Sequence, residues 1–358
     1  MGKQNIGILI GSKLYRKLQA GRKTKILTLY EEACKNYNLN PCFISFKDII
    51  PNQPQIKAYI QNTNGDYQLA YIEKPLVIHN RGYQNSKSAQ KRLKRLREEG
   101  MMIFNEWNCY GKLYIHQILM ENQQLIPHLP ETQIVNEEHL YDMINKYQEL
   151  IVKPNKGTLG KRNKKLTKLN NRHWILTSLC GDSYKEEIIT IQDLVSKLVK
   201  TKRNYYLIQE RIKLATFQQN PFDIRVSVQR NEWGEWQVTG MVAKVAGAGN
   251  FVTNVARGGT CYSLNQILED HPQLQYKQVY DEIKYLSLAI ADQLSNRLPF
   301  LVDLGLDIGI TAKGFPMFIE CNARDLRYSF RNANLLDIWK ETYKTPIGYG
   351  KYLLNQQI

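Results

Sequence analysis

No stretch of this chain approaches the roughly 20 consecutive apolar residues that a membrane helix needs. The short apolar run near the start, NIGILI at residues 5–10, meets the charged KLYRK almost at once, so it reads as a strand and not as a signal segment. Both absences point to the cytoplasm. Cysteine is sparse and scattered, with six residues at 34, 42, 109, 180, 261 and 321. No CxxC pair exists and no Cys/His group has zinc spacing, which leaves reduced thiols as the reading. No low-complexity linker or internal repeat interrupts the chain. The GxxxxGK[ST] loop is missing, and so is any recognisable nucleophile triad. Acid is in deficit: 33 Asp and Glu stand against 49 Lys and Arg, a net charge of +16. That balance favours anionic partners, whether nucleic acid, phosphorylated ligands or an acidic polymer.

What is present suffices for a core, since 43% of residues are hydrophobic. The 358 residues suggest two or three domains at about 150 residues each. NIGILI, then the helical KTKILTLYEEACKNYNL, then PCFISF, form a β-α-β opening and predict a parallel sheet. SKSAQKRLKRLREEG predicts a basic helix closed by Gly100, with a solvated face or, as the sharper alternative, an anion-binding one. LIVKP, HWILTSL and YYLIQERI read as strands. DIRVSVQRNEWGEWQVTGMVAKVA reads as a hairpin turning at Asn231 to Gly234. VYDEIKYLSLAIADQLSNRL predicts a long helix, and NLLDIWKETYKTPIGYGKYLL a helix plus a tail.

Two apolar strands carry carboxylates. LGLDIGI contains Asp307, and FIECNARDL contains Glu320 and Asn322. A tight turn at Ala312 to Gly314 joins them into a hairpin. Glu320 and Asn322 are two apart and share a face, and pairing brings Asp307 near them. Clustered carboxylates repel unless a cation neutralises them, and oxygen-only ligands suit Mg²⁺. The plainer alternative is an exposed polar face. Upstream, IVKPNKGTLGKRNKKL places Lys153 before a loop with Gly157 and Gly160, where amides can approach phosphate. A basic surface loop is the alternative there. YLIQERI, a strand ending in a polar pair, can present backbone groups to an adenine edge while its apolar residues pack on the base, or be an ordinary strand. Arg225, Lys244 and Arg257 can converge on developing phosphate charge, or form structural salt bridges.

In this order, VKPNKGTLGK, LIQERI, DIRVSV, NFVTNVARGG, LGLDIGI and FIECNA resemble the ATP-grasp superfamily over roughly residues 110–330. The run from DIR through NxxRGG to D and ExN resembles ligases that add glutamate to peptide termini. The whole is most similar in character to the endospore coat-associated YheC/YheD group of bacilli. The resemblance implies an ATP-grasp fold of mixed α/β and α+β class: an N-terminal parallel α/β domain at 1–110, a small subdomain with the phosphate loop at 111–205, and a larger subdomain with the metal site and a tail at 206–358. It implies phosphate contacts from Lys112 and Lys153, an adenine hinge at Gln209 to Ile212, and Mg²⁺ on Asp307, Glu320 and Asn322. Lys244 and Arg257 would face the transferred phosphoryl group, with Arg225 beside them. Asn254, Gly258, Arg324 and Arg327 would contact substrate. The implied activity is an ATP-dependent ligase that activates a carboxylate as an acylphosphate and joins it to the amine of an amino acid or peptide. Relatives follow ExN with proline or small residues, whereas here Arg324, Asp325, Arg327 and Arg331 follow and would lie beside the metal site, reading an anionic acceptor. The alternatives are a non-catalytic spore-associated protein of the same fold and a basic nucleic-acid binder, for which no known module is visible.

Overall fold

The computed structural model describes residues 3–157, 160, 162–181, 183–199, 206–255 and 258–356. Three six-stranded sheets follow one another along the chain. The first contains β1 (Gln4–Ile10), β2 (Leu39–Ser45), β3 (Gln55–Gln61), β4 (Tyr67–Glu73), β5 (Val77–Asn80) and β6 (Met102–Phe104), in the order β4-β3-β2-β1-β5-β6. Its centre is parallel, β1 pairing with β2 and β5, and β5 with β6, as the β-α-β opening predicts. Ile6, Ile8 and Leu9 of β1 are buried, which explains an apolar run without alternation.

The second sheet contains β7 (Thr132–Ile134), β8 (Glu149–Pro154), β9 (Lys164–Lys168), β10 (His173–Cys180), β11 (Ser183–Thr190) and β12 (Tyr206–Glu210). Its order is β11-β10-β9-β8-β12-β7, antiparallel throughout. The third contains β13 (Thr216–Phe217), β14 (Asn220–Arg230), β15 (Trp236–Val245), β16 (Thr260–Tyr262), β17 (Asp303–Ile310) and β18 (Pro316–Asn322). Its order is β16-β15-β14-β17-β18, with β13 on β14. The β17–β18 turn closes through Gly314 N donating to Thr311 O at 2.8 Å. The helices Lys112–Met120 and Tyr276–Ser295 give Ile115, Ile118, Leu119, Ile283 and Ile290 to the core over this sheet.

Three features depart from the sequence reading. The basic run ending at Lys168 is partly strand: only Leu166 of β9 is buried, so lysines fit its other positions. The ribbon of β3 and β4 is also unforeseen. The expected helix plus tail is one helix, Leu336–Asn355, running through Pro346. Proline removes the bond that would reach the carbonyl four residues back. That carbonyl, Thr342 O, accepts instead from the Gln229 amide at 2.9 Å. The helix packs on the first sheet, where Trp339, Tyr343 and Ile347 join Tyr30, Phe43 and Phe104. β12 pairs in the second sheet, so the stretch 206–358 contributes to all three layers.

Candidate functional site

A cavity of about 350 Å³ is walled by the second and third sheets together. Lys112, Lys153, Gly157, Gln209, Glu320, Asn322 and Arg324 all line it. Lys153 enters from β8, only 6% exposed. Its Nζ donates to Gln209 Oε1 at 2.8 Å and to Ile319 O at 3.4 Å. The Gln209 amide in turn donates to Thr132 Oγ1 at 2.6 Å, which fixes the orientation of its oxygen. These partners are neutral, and burial pulls the Lys153 amine down to about 8, with Glu320 opposing and Lys112 reinforcing. Lys112, at the start of its helix, reaches Glu320 Oε1 at 3.2 Å and donates to Gly157 O at 3.2 Å. It thereby ties the loop after β8 to the edge strand β18. Gly160 in that loop has φ +61, and a Cβ there would lie 3.0 Å from Val252 Cγ1, so the position suits glycine on both counts.

Behind the cavity, β14, β15 and β17 bring alternating charges into contact. Asp223 pairs with Lys244 across β14–β15, Arg225 with Asp307 across β14–β17, and Asp307 with Glu320 across β17–β18. Asp307 accepts from Arg225 Nε at 2.8 Å, Arg225 Nη2 at 3.1 Å and Lys244 Nζ at 2.8 Å. Lys244 also meets Asp223 at 2.8 Å, and Arg225 meets Asp325 at 3.0 Å. Ser227 donates to Asp325, and Thr253 to Asp223. Gly305 makes the Asp325 contact possible, since a Cβ there would stand 2.6 Å from Asp325 Oδ1. Burial by itself would raise the Asp307 carboxyl, but Arg225 and Lys244 outweigh it and hold it well below the usual range. Burial pushes Asp223 up, against the pull of Lys244.

The hairpin register thus makes Asp307 and Glu320 neighbours, with Asn322 two residues further along β18. What the sequence reading assigned to a metal, neutralisation of these carboxylates, the chain does with its own Arg225, Lys244 and Lys112. Among the described residues no group of three or more His, Cys, Asp and Glu gathers as metal ligands. The oxygen set of two carboxylates and an amide still fits Mg²⁺. Glu320 and Asn322 face the cavity, and Asp307 uses three of about four lone-pair sites.

Arg225, Lys244 and Asp307 do not line the cavity, and neither do Gly160, Glu210, Arg211, Ile212, Asn254 or Gly258. Arg211 is held by Glu149 at 2.5 Å, and Glu210 N donates to Glu131 O at 3.0 Å. Asn254 and Gly258 sit on the loop between β15 and β16, which Thr253 anchors to Asp223. Arg257 falls outside the described residues. The four charges after Asn322 do not all lie beside the carboxylates. Arg324 does line the cavity, but Asp325 is buried on Arg225, and Arg327 is 2% exposed, bound to Asp303 and stacked 4.6 Å over Tyr343. Thr132, Ser227 and Thr253 escaped the sequence reading, because no local spacing marks a hydroxyl that orients a distant side chain. No helix among the described residues is long and apolar enough to cross a membrane.

Comparison with known proteins agrees with this architecture. The model of the family described as YheC/D like ATP-grasp matches residues 100–353. Endospore coat-associated protein YheD of Bacillus subtilis (strain 168) is 26% identical over 352 residues, covering 94% of this chain and 74% of that protein. Endospore coat-associated protein YheC of the same organism is 23% identical over 330 residues, covering 88% and 89%. Among solved structures, ATP-grasp ligase PsnB complexed with minimal precursor matches with a TM-score of 0.53 at 15% identity, over 93% of this chain and 95% of that one. VanG D-Ala:D-Ser ligase from Enterococcus faecalis matches with a TM-score of 0.53 at 10% identity, over 98% and 100%. At such identities these structures share the fold, which is the ATP-grasp fold.

Proposed function

Because this chain belongs to the YheC/D-like ATP-grasp family, we propose that it is an ATP-dependent ligase joining a carboxylate to an amine of an amino acid or peptide. One observation carries the reading: Lys112, Lys153, Gln209, Glu320 and Asn322 converge on one cavity from separate elements. Cations and hard oxygen donors together are what a polyphosphate requires. In this reading Lys112, Lys153 and the backbone at Gly157 hold phosphate oxygens, and Gln209 borders the adenine, with Glu210 to Ile212 on the chain just beyond the cavity. Asp307, Glu320 and Asn322 would hold Mg²⁺, which when bound supplies charge neutralisation across the phosphates.

A substrate carboxylate oxygen attacks the γ-phosphorus of ATP. The bond from that phosphorus to its bridging oxygen breaks, and ADP leaves with the electron pair. The resulting acylphosphate is attacked at carbon by the amine nitrogen, phosphate departs, and the nitrogen gives up its proton. Arg225, Lys244 and Arg257 belong on the phosphoryl side, Asn254, Gly258 and Arg324 on the substrate side. Burial brings the Lys153 amine down to about 8, so at and above that pH the arrival of an anionic nucleotide should draw a proton onto it. The chain's work is positioning and charge.

The test is ADP release with amino acids and short peptides supplied in pairs, the products read by mass spectrometry. Release should need both a carboxylate and an amine, and Glu320→Gln should lower it by about a hundredfold. Absence of nucleotide binding in the presence of Mg²⁺ would sink the reading.

One observation favours a second reading, a nucleotide-binding but non-catalytic protein. Both Asp307 oxygens are already taken by Arg225 and Lys244, so the cluster has no need of a metal to persist. Nucleotide binding without turnover for any substrate pair would select it. The coat association in the relatives' names extends to this chain within either reading, checked by locating the tagged protein in fractionated spores.

A further inference from the structure

A second cavity, about 520 Å³, opens where the end of β1 meets the helices Ser12–Gln19 and Tyr328–Asn332. Lys13, Lys17, Lys25, Arg81, Arg324, Arg327 and Arg331 line it, and among the described residues no Asp or Glu does. Arg327 is the telling residue. Its Nη2 is bound to Asp303, but Nε and Nη1 are buried without a hydrogen-bond partner among the described residues. Trp339 Nε1 and Thr24 Oγ1, on the same wall, are buried and unpartnered as well. The arginine and tryptophan groups can only donate. Buried donors without acceptors are costly and rare. A wall of cations and idle donors favours an occupant that brings acceptors and negative charge together.

The two cavities are neighbours: Arg324 and Leu326 line both, so an extended molecule reaching from one to the other would pass these two residues. The rings of Tyr30, Trp339 and Tyr343 add apolar surface for its body.

We infer that the second cavity binds an anionic group, a carboxylate or a phosphate, carried by the same substrate whose reacting carboxylate is activated in the first. The anion site stands on the geometry alone, and its link to the reacting carboxylate rests on the ligase reading. The substrate class is therefore an acid with a second anion, such as an acidic or phosphorylated peptide. It is not a simple monoanionic amino acid.

The experiment is calorimetric titration of the full chain, without nucleotide, with triglutamate, a tripeptide containing phosphoserine, triglutamine and inorganic phosphate. Both anionic peptides should bind, triglutamine should not, and inorganic phosphate should compete. Added salt should weaken binding. The double variant Lys13→Ala/Lys17→Ala, at two exposed positions that the fold does not need, should bind the anionic peptides about tenfold more weakly. Tighter binding of the phosphopeptide assigns the site to phosphate, and tighter binding of triglutamate assigns it to carboxylate. Equal binding of triglutamine, or an unchanged affinity in the double variant, overturns the site. Anionic peptides that bind normally while no amine elicits ADP release would leave the site standing and overturn the ligase reading instead.

Discussion

Strand β17 buries two carboxylates on one face, Asp303 and Asp307, with Gly305 between them. They are stabilised alike and balanced oppositely. Asp303 meets Arg81 at 2.8 Å, Arg327, the Gln229 amide at 2.8 Å and His79 Nε2 at 3.3 Å. Burial pulls the His79 imidazole down to about 4, so it is neutral near pH 7. One carboxylate thus serves two guanidinium groups, a positive surplus. The Asp307 cluster has three carboxylates, Asp223, Asp307 and Asp325, for two cations, Arg225 and Lys244. That is a negative surplus. Asp325 joins the two: its carboxylate faces Arg225, and its backbone oxygen accepts from Arg81. Each surplus lies beside a cavity whose expected occupant has the opposite sign, a cation at Glu320 and Asn322 and an anion at Arg327 and Arg331. Buried charge that is nearly but not fully balanced marks where something else must bind.

The largest test of this contrast is Asp303→Asn. It takes the carboxylate from the buried Arg327 and the partly exposed Arg81, and removing one partner of such a set costs about 3–5 kcal/mol. Urea denaturation should show that loss, and a cost under about 1 kcal/mol would remove Asp303 from the centre of its cluster. Lys153 is the limiting case, a buried cation whose contacts are all neutral. Its folded amine titrates at about 8, against 10.5 ordinarily. Between those values the unfolded chain binds more protons at this site, so the Lys153 contribution to stability rises with pH, by about 1.4 kcal/mol per unit and roughly 3 kcal/mol in all. Lys153→Met should abolish that slope, and denaturation curves across the window measure it. Next comes Lys244→Met, expected to cost about 2 kcal/mol by thermal melts. The loss is smaller than for Asp303 because Arg225 still holds Asp307.

Some of this was legible in the chain. Period two and a tight turn suffice to place Glu320 and Asn322 on one face and Asp307 beside them, because hairpin register is a local property. The parallel centre of the first sheet follows from its β-α-β opening in the same way. Salt bridges of Arg225 and Lys244 are one of the two readings the chain offers, but that Asp307 is their partner is not legible, and neither is the cluster around Asp303. Arg81 and Asp303 are 222 residues apart, and nothing local to either announces the pair. The second cavity is built from both ends of the chain, Lys13 and Lys17 with Arg331 and Trp339, so no motif contains it. Pro346 misled for a related reason: the group that makes a mid-helix proline tolerable is Gln229, far away on β14.

The smallest expected effect is the most discriminating. Asp223→Asn removes the surplus carboxylate, keeps an oxygen for Thr253, and leaves Asp307 and Asp325 matched by Arg225 and Lys244. Stability near neutral pH should therefore change by less than about 1 kcal/mol, despite complete burial of the residue. The pH dependence separates it from Asp303. Burial raises the folded Asp223 carboxyl above its ordinary 3.8, so between 3.8 and the folded value the native chain binds more protons and stability falls as pH rises. For Asp303 burial also raises, but Arg327 and Arg81 outweigh it and bring the folded value below 3.8, so its contribution is present above 3.8 and is lost as pH falls. Relative to the parent, the asparagine variant at 223 should gain stability as pH rises from the acid side, whereas the variant at 303 should lose it. Acid titration of unfolding free energy for both variants gives the two signs. If they agree, the two clusters are not oppositely charged, and the contrast on β17 fails.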